Sequence, residues 1–88
     1  MTFFHLTITA FDSVLFNDEV VYCKVTTPFG KLGIEAHHEP LLAVIDERTS
    51  ITYRDVSGTE ESLTAESGLL SFSNNNCLIT VSLDLSEK

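Results

Sequence analysis

At 88 residues the chain is expected to form one domain, residues 1–88, with 84–88 as a tail. A chain of this length buries roughly 60–65% of the surface its unfolded form exposes, which supports one modest core and leaves little room for a deep catalytic cleft. Its 43% hydrophobic content argues against disorder, and thirteen Asp and Glu against five Lys and Arg give a formal net charge of −8 that repels phosphate backbones, so a nucleic-acid role is disfavoured.

The opening "MTFFHLTITAF" lacks the basic start and long apolar stretch of a secretion signal, which makes a cytoplasmic location the expectation. Within it Phe4, Leu6 and Ile8 alternate with His5, Thr7 and Thr9, the period-two pattern of a half-buried strand. "EVVYCKVTT" continues in the same manner, with Val21, Cys23 and Val25 expected on one side and Val20, Tyr22 and Lys24 on the other. Pro28 and Gly30 then break the run, and "KLGI" reads as a short return strand with Leu32 and Ile34 on one face. "EPLLAVIDER" is ambiguous, because Pro40 is permitted in a first helical turn; a helix this short needs packing to persist, so a strand or an irregular turn leading into one is favoured. Its apolar core, "LLAVI", is far shorter than the ~20 residues of a membrane helix.

"SITYR", a turn at "DVSG", "ESLTAE" and "SGLLSFS" follow, with Ile51 aligned with Tyr53, Leu63 with Ala65, and Leu70 with Phe72. "NNN" reads as a hairpin turn into "CLITVS", where Cys77, Ile79 and Val81 alternate with Leu78, Thr80 and Ser82. The expected fold is all-β, a small antiparallel β-sandwich or flattened barrel of about seven to ten short strands. Cys23 and Cys77 lie in apolar runs and are expected to be buried thiols.

Chemistry was sought around "GKLGIEAHHEPLL", residues 30–42. His37 and His38 are adjacent, so on a strand they face opposite ways; a zinc site would need His5, Glu35 or Glu39 to converge with them. No nucleophile elbow of the G-x-S-x-G type is present, and "GKLG" lacks the remainder of a phosphate loop. Gly30 and Gly33 are expected to serve a special dihedral or a close approach to a neighbouring strand, and Gly68 a bulge or a tight strand entrance. The acidic residues cluster at expected turns as a solvated rim. A small hydrolytic or metal-dependent enzyme is therefore the weakest reading, and no catalytic residue, metal ligand or cofactor is assigned.

The order of features is more specific than any of these. Phe16, Val20, Gly30, Leu32, Gly33, Ile34, His38, Pro40, Leu41 and Leu42, followed by Gly68, Leu69, Leu70 and Phe72, stand in the register of a first strand, a central G-x-L-G-I…H-x-P-L-L motif and a late S-G motif. This pattern resembles the N-terminal β-sandwich domain of the bacterial F-type ATP synthase epsilon subunit, the counterpart of the mitochondrial delta subunit. The resemblance covers nearly the whole chain. It departs from the family pattern at Asn17, Asp18, Ala36, His37, Glu39 and Ser67. His37 replaces a glycine, so a positive φ kept there would carry strain.

What the resemblance implies is a non-catalytic rotor subunit at the foot of the central stalk, with the gamma subunit on one sheet face and the polar loops of the membrane c-ring at the end carrying the central motif. It implies a peripheral place at the cytoplasmic face of the inner (plasma) membrane, within the F1 sector, helping couple ion flow to ATP synthesis, without a cofactor and without membrane insertion. The partner-facing rim is then expected at Phe29, Lys31, Glu35, His37, His38 and Glu39. Gly30, Leu32, Gly33, Ile34, Pro40, Leu41, Leu42, Gly68, Leu70 and Phe72 form the supporting motif, with Leu41 and Leu42 as anchors to the core and Phe29 and Lys31 beside the histidines. Because Lys31 stands where the family often has Glu, a ring loop touching it is expected to be acidic or neutral there. The sequence to Lys88 contains no helical pattern of the kind that forms the family's C-terminal hairpin, so a short form lacking that hairpin's regulation is the expectation. The competing reading is a β-sandwich interaction module unrelated to ATP synthase.

Overall fold

A computed structural model describes residues 2–83; the expected tail at 84–88 lies outside the described residues. Eight strands follow one another: β1 (Phe4–Ala10), β2 (Ser13–Thr27), β3 (Gly30–Ile34), β4 (Leu41–Ile45), β5 (Thr49–Asp55), β6 (Glu60–Ala65), β7 (Ser67–Ser73) and β8 (Asn76–Ser82). They form one sheet in the order β4-β7-β8-β1-β2-β5-β6, with β3 also paired to β2. All pairs are antiparallel except β1 with β8, where Leu6 stands opposite Cys77 and Ala10 opposite Val81 in parallel register. The ambiguous "LLAVI" segment is a strand, held by antiparallel pairing to β7 that sets Leu41 opposite Phe72 and Val44 opposite Leu69.

β2 lets one sheet curl into a half-barrel. It is 15 residues long. Its first part pairs with β1 and its last part with β3 and β5, so the same strand belongs to both walls. A register shift between Val20 and Tyr22 in the β5 pairing marks the bend. It also corrects the expected alternation: Val20 and Cys23 are both buried, while Val21 and Tyr22 are only half-buried. An extra residue at a bulge resets the period-two phase, which alternation read from the sequence alone does not register.

The curl brings inner faces together. Phe4, Leu6, Ile8, Val20, Cys23, Val25, Ile34, Ile45, Ile51, Leu70, Phe72 and Ile79 are buried in one cluster. Phe4 meets Phe72 edge-on with ring centroids 5.6 Å apart, and Phe16 on β2 lies 4.4 Å from Tyr53 on β5. The backbone N–H of Asp46, just after β4, donates to the Thr26 carbonyl of β2 at 2.7 Å and ties the end strand β4 to β2 across the curl. No buried residue is polar or charged, and no buried side-chain polar atom among the described residues lacks a partner. Cys23 and Cys77 are free and buried in this core; burial pushes the Cys77 thiol up to about 12, and burial followed by the nearby Cys77 pushes Cys23 higher still.

Candidate interaction surfaces

The central motif forms two turns and the strand between them. Thr27, Pro28, Phe29 and Gly30 make the β2–β3 turn: Gly30 has φ +124°, the Phe29 N–H donates to the Thr27 hydroxyl at 3.1 Å, and that hydroxyl donates to the Gly30 carbonyl at 2.9 Å. Phe29 projects from this turn, 99% exposed. Gly33 has the other role expected of it, since a Cβ there would lie 2.9 Å from the Tyr22 hydroxyl. Gly68 also makes a close approach and not a bulge: its Cβ would lie 3.0 Å from the Thr80 carbonyl oxygen, and β7 pairs with β8 in unbroken register from Ser67 to Ser73.

At the other end of β3, the chain turns through Glu35, Ala36, His37, His38 and Glu39. His37 adopts φ +66°, the conformation in which a non-glycine residue is strained. The turn is pinned from outside. The His37 N–H donates to the Asn75 carboxamide oxygen at 2.7 Å, and the Asn75 amide nitrogen donates to the Phe3 carbonyl at 3.0 Å, so one side chain from the β7–β8 hairpin joins three segments. The His38 ring meets Phe72 edge-on at 5.9 Å, and its Nδ1 lies 2.8 Å from the Glu39 carbonyl oxygen. Asn74 and Asn75 supply the two positive φ values of a two-residue hairpin, 51° and 61°.

The expected rim is thus divided. Phe29 and Lys31 stand at the start of β3, whereas Glu35, His37, His38 and Glu39 stand beyond its far end, roughly 13 Å away along an extended chain. The placement of Phe29 and Lys31 beside the histidines is corrected, because β3 runs extended between them. Leu42 is a second correction: Leu41 packs on the core, but Leu42 points outward and is 75% exposed. Consecutive residues of a strand face opposite ways, so both leucines cannot anchor it.

His5 lies apart from the other two histidines, its Nε2 against the Asn17 side-chain oxygen. Among the described residues no group of three or more His, Cys, Asp and Glu side chains is arranged to hold a metal ion.

One outward feature, an array of exposed Leu and Val, was not among the expected sites. Cross-strand pairing places Leu42, Ser71, Leu78, Thr7 and Asn17 in one row across the outer face of β4, β7, β8, β1 and β2, and Val44, Leu69, Thr80, Thr9 and Val14 in the next. Leu42, Val44, Leu69, Leu78 and Val14 are all exposed. The signal was present in the sequence: these residues occupy outward phases of alternating strands, where polar side chains are the rule. A groove between the β2–β3 turn and β4, lined by Phe29, Leu32, Leu42 and Val44 among others, extends the apolar surface past the sheet edge.

A small curled β-sheet with a fully apolar interior and an exposed apolar outer face defines a protein-docking domain. The chain belongs to the ATP synthase delta/epsilon chain β-sandwich domain family, whose model matches residues 3–83. Two solved structures are similar in fold. One is a chain in the cryo-EM structure of the Euglena gracilis mitochondrial ATP synthase, OSCP/F1/c-ring in rotational state 1, with TM-score 0.81 and 18% identity over 86% of this chain and 48% of that one. The other is a chain in the central stalk/c-ring structure of the Tetrahymena thermophila mitochondrial ATP synthase, with TM-score 0.73 and 16% identity over 96% of this chain and 73% of that one. The chain therefore spans about half the length of the Euglena chain. Comparison with curated proteins finds no sequence match.

Proposed function

We propose that the chain serves as a non-catalytic central-stalk component of an F-type ATP synthase, bridging the gamma subunit and the polar loops of the c-ring and helping couple ion flow to ATP synthesis. The observation that carries this reading is the five exposed Leu and Val side chains set in two adjacent rows on the outer face of β4, β7, β8, β1 and β2 in a domain of this family. Isolated exposed leucines are ordinary, but several in register on one sheet face make a surface that a partner covers. In this reading gamma packs on that face. The β2–β3 turn, with Phe29 and Lys31, and the His37–Glu39 turn face the ring, and the site of action is peripheral, at the cytoplasmic face of the inner (plasma) membrane.

Two features support a mechanical role. Among the described residues no polar or charged residue is buried, and the His37 turn is tied through Asn75 to Phe3, so loads applied at one loop pass into the packed sheet instead of being absorbed by a loose segment. Co-expression of the chain with gamma and the c-ring of the same organism tests the reading. A complex containing all three supports it, and an interaction with neither overturns it in favour of an interaction module with other partners.

A further inference from the structure

Three of the five cations that are scattered in sequence share the outer face of the wall that does not carry the apolar rows. Directly paired residues of neighbouring strands share a face. Tyr22 pairs with Arg54 and Arg54 with Glu60; Lys24 pairs with Gly33 and with Thr52; Thr26 pairs with Lys31. Each of these side chains points away from the core, because the alternating partners Cys23, Val25, Ile34 and Ile51 are buried. Lys24, Lys31 and Arg54 therefore share the outer face of β3, β2, β5 and β6, although they come from three strands of a chain with net charge −8.

Their charges are not equally available. Arg54 is matched by Glu60 at 3.3 Å and lies 5.6 Å from the centre of the Tyr22 ring; Arg48, in the turn just before β5, pairs with Glu66 at 3.4 Å. Among the described residues Lys24 and Lys31 form no salt bridge, and both are exposed. Between them lies Gly33, which contributes no side chain and carries the Tyr22 phenol against its backbone. The rest of the wall is hydroxyl-rich, with Thr52 against Ser62 at 3.0 Å. Glu35 and Glu60 bound it at the Tyr22–Arg54 end.

We propose that this wall is a second docking surface, which receives a carboxylate-bearing segment of a partner protein laid extended across Lys24 and Lys31. An extended segment presents alternate side chains to one side, so acidic residues at i and i+2 reach both lysines while the hydroxyls take its backbone. The same geometry disfavours a nucleic acid: two free ammonium groups neutralise few phosphates, and the remaining surface repels the others. The surface is distinct from the apolar rows; it shares Lys31 with the ring-facing turn of the stalk reading, and a peptide titration tests it separately from that reading.

Titration of the isotope-labelled protein with an acetylated octapeptide of alternating Ser and Glu tests this by amide chemical shifts. The expected result is saturable shifts confined to Lys24, Lys31, Gly33 and Thr52, weakened about tenfold or more between about 20 and 200 mM salt. The double variant Lys24→Glu, Lys31→Glu is expected to lose the shifts while keeping a native spectrum, and Arg48→Glu to keep them. Absence of these shifts, or their persistence in the double variant, overturns the proposal. Binding of a single-stranded DNA octamer to the same residues as tightly as the peptide also overturns it, in favour of a nucleic-acid surface.

Discussion

His37 is one of five described non-glycine residues held at positive φ. Its φ of +66° is costly for any side chain with a Cβ, yet its bond to the Asn75 carboxamide oxygen needs only the His37 backbone N–H. His37→Gly should therefore stabilise the protein by about 1 kcal/mol, since the relief of strain exceeds the entropy that glycine loses, and raise Tm by about 4–8 °C for a domain of this size. Thermal unfolding of the two proteins checks this. The buried thiols make a second prediction with a defined sign. In the folded state Cys77 is pushed up from 9.0 to about 12 and Cys23 further, so above pH 9 the unfolded chain releases protons that the folded one retains. Stability should be unaffected by these groups below pH 9 and should fall as pH rises from there towards about 12. Urea unfolding across that range should show the decline, and replacing both cysteines by Ala should flatten it. Tyr53, raised first by burial and then by Glu61 and Cys23, adds to the same alkaline loss.

At the scale of the strands, close backbone approach and a single bridging amide decide the geometry. A Cβ at Gly68 meets the backbone carbonyl of Thr80 at 3.0 Å, an atom that the β7–β8 ladder holds in place, with the Val81 and Ile45 side chains at 3.2 and 3.3 Å. Gly68→Ala should cost about 1–3 kcal/mol. Gly33→Ala meets only the end of the Tyr22 side chain and should cost clearly less, so chemical denaturation of the pair distinguishes backbone obstruction from side-chain obstruction. Asn75→Ala removes the partner of both the His37 N–H and the Phe3 carbonyl and puts alanine at φ +61°. The expected loss is about 1–3 kcal/mol, with faster hydrogen exchange at His37 than at the β7–β8 core amides. Equal protection at both would show that the bridge contributes nothing.

For the whole molecule, the two outer walls differ in chemistry. One carries exposed Leu and Val among Thr, Ser and Asn, and the other carries hydroxyls and two lysines that form no salt bridge among the described residues. Introducing charge on the first, as in Leu42→Lys with Leu69→Lys, should leave folding stability within about 0.5 kcal/mol per site, because both side chains already face solvent. The same variant should weaken capture of the gamma subunit at least about tenfold, measured by co-purification from a co-expressed complex. Unchanged capture would move the gamma interface off this wall. The β1–β8 pair adds a further constraint on the molecule: it joins the first strand to the last in parallel, and β2 then carries the sheet round to β5 and β6.

Alternation and turn chemistry in the sequence were enough to identify an all-β chain, nearly every strand and most of the inner face, because a half-buried strand must place apolar side chains at every second residue. The family motif was likewise legible, and the expected departure from it at His37 pointed to one of the positive-φ turns. What alternation could not carry was long-range. The parallel β1–β8 pairing, the bulge that puts both Val20 and Cys23 inside, and the long β2 shared by two walls depend on which strands meet, and local period does not encode the partner. The same limit explains the surfaces. Phe29 and Lys31 were close in sequence to the histidines yet are held apart by extended β3, while Lys24, Lys31 and Arg54, distant in sequence, were gathered on one wall by pairing. Local side-chain pattern determined which residues are inside; only the closing of the sheet decided which outward residues are neighbours, because that neighbourhood is created by cross-strand register and has no counterpart along the chain.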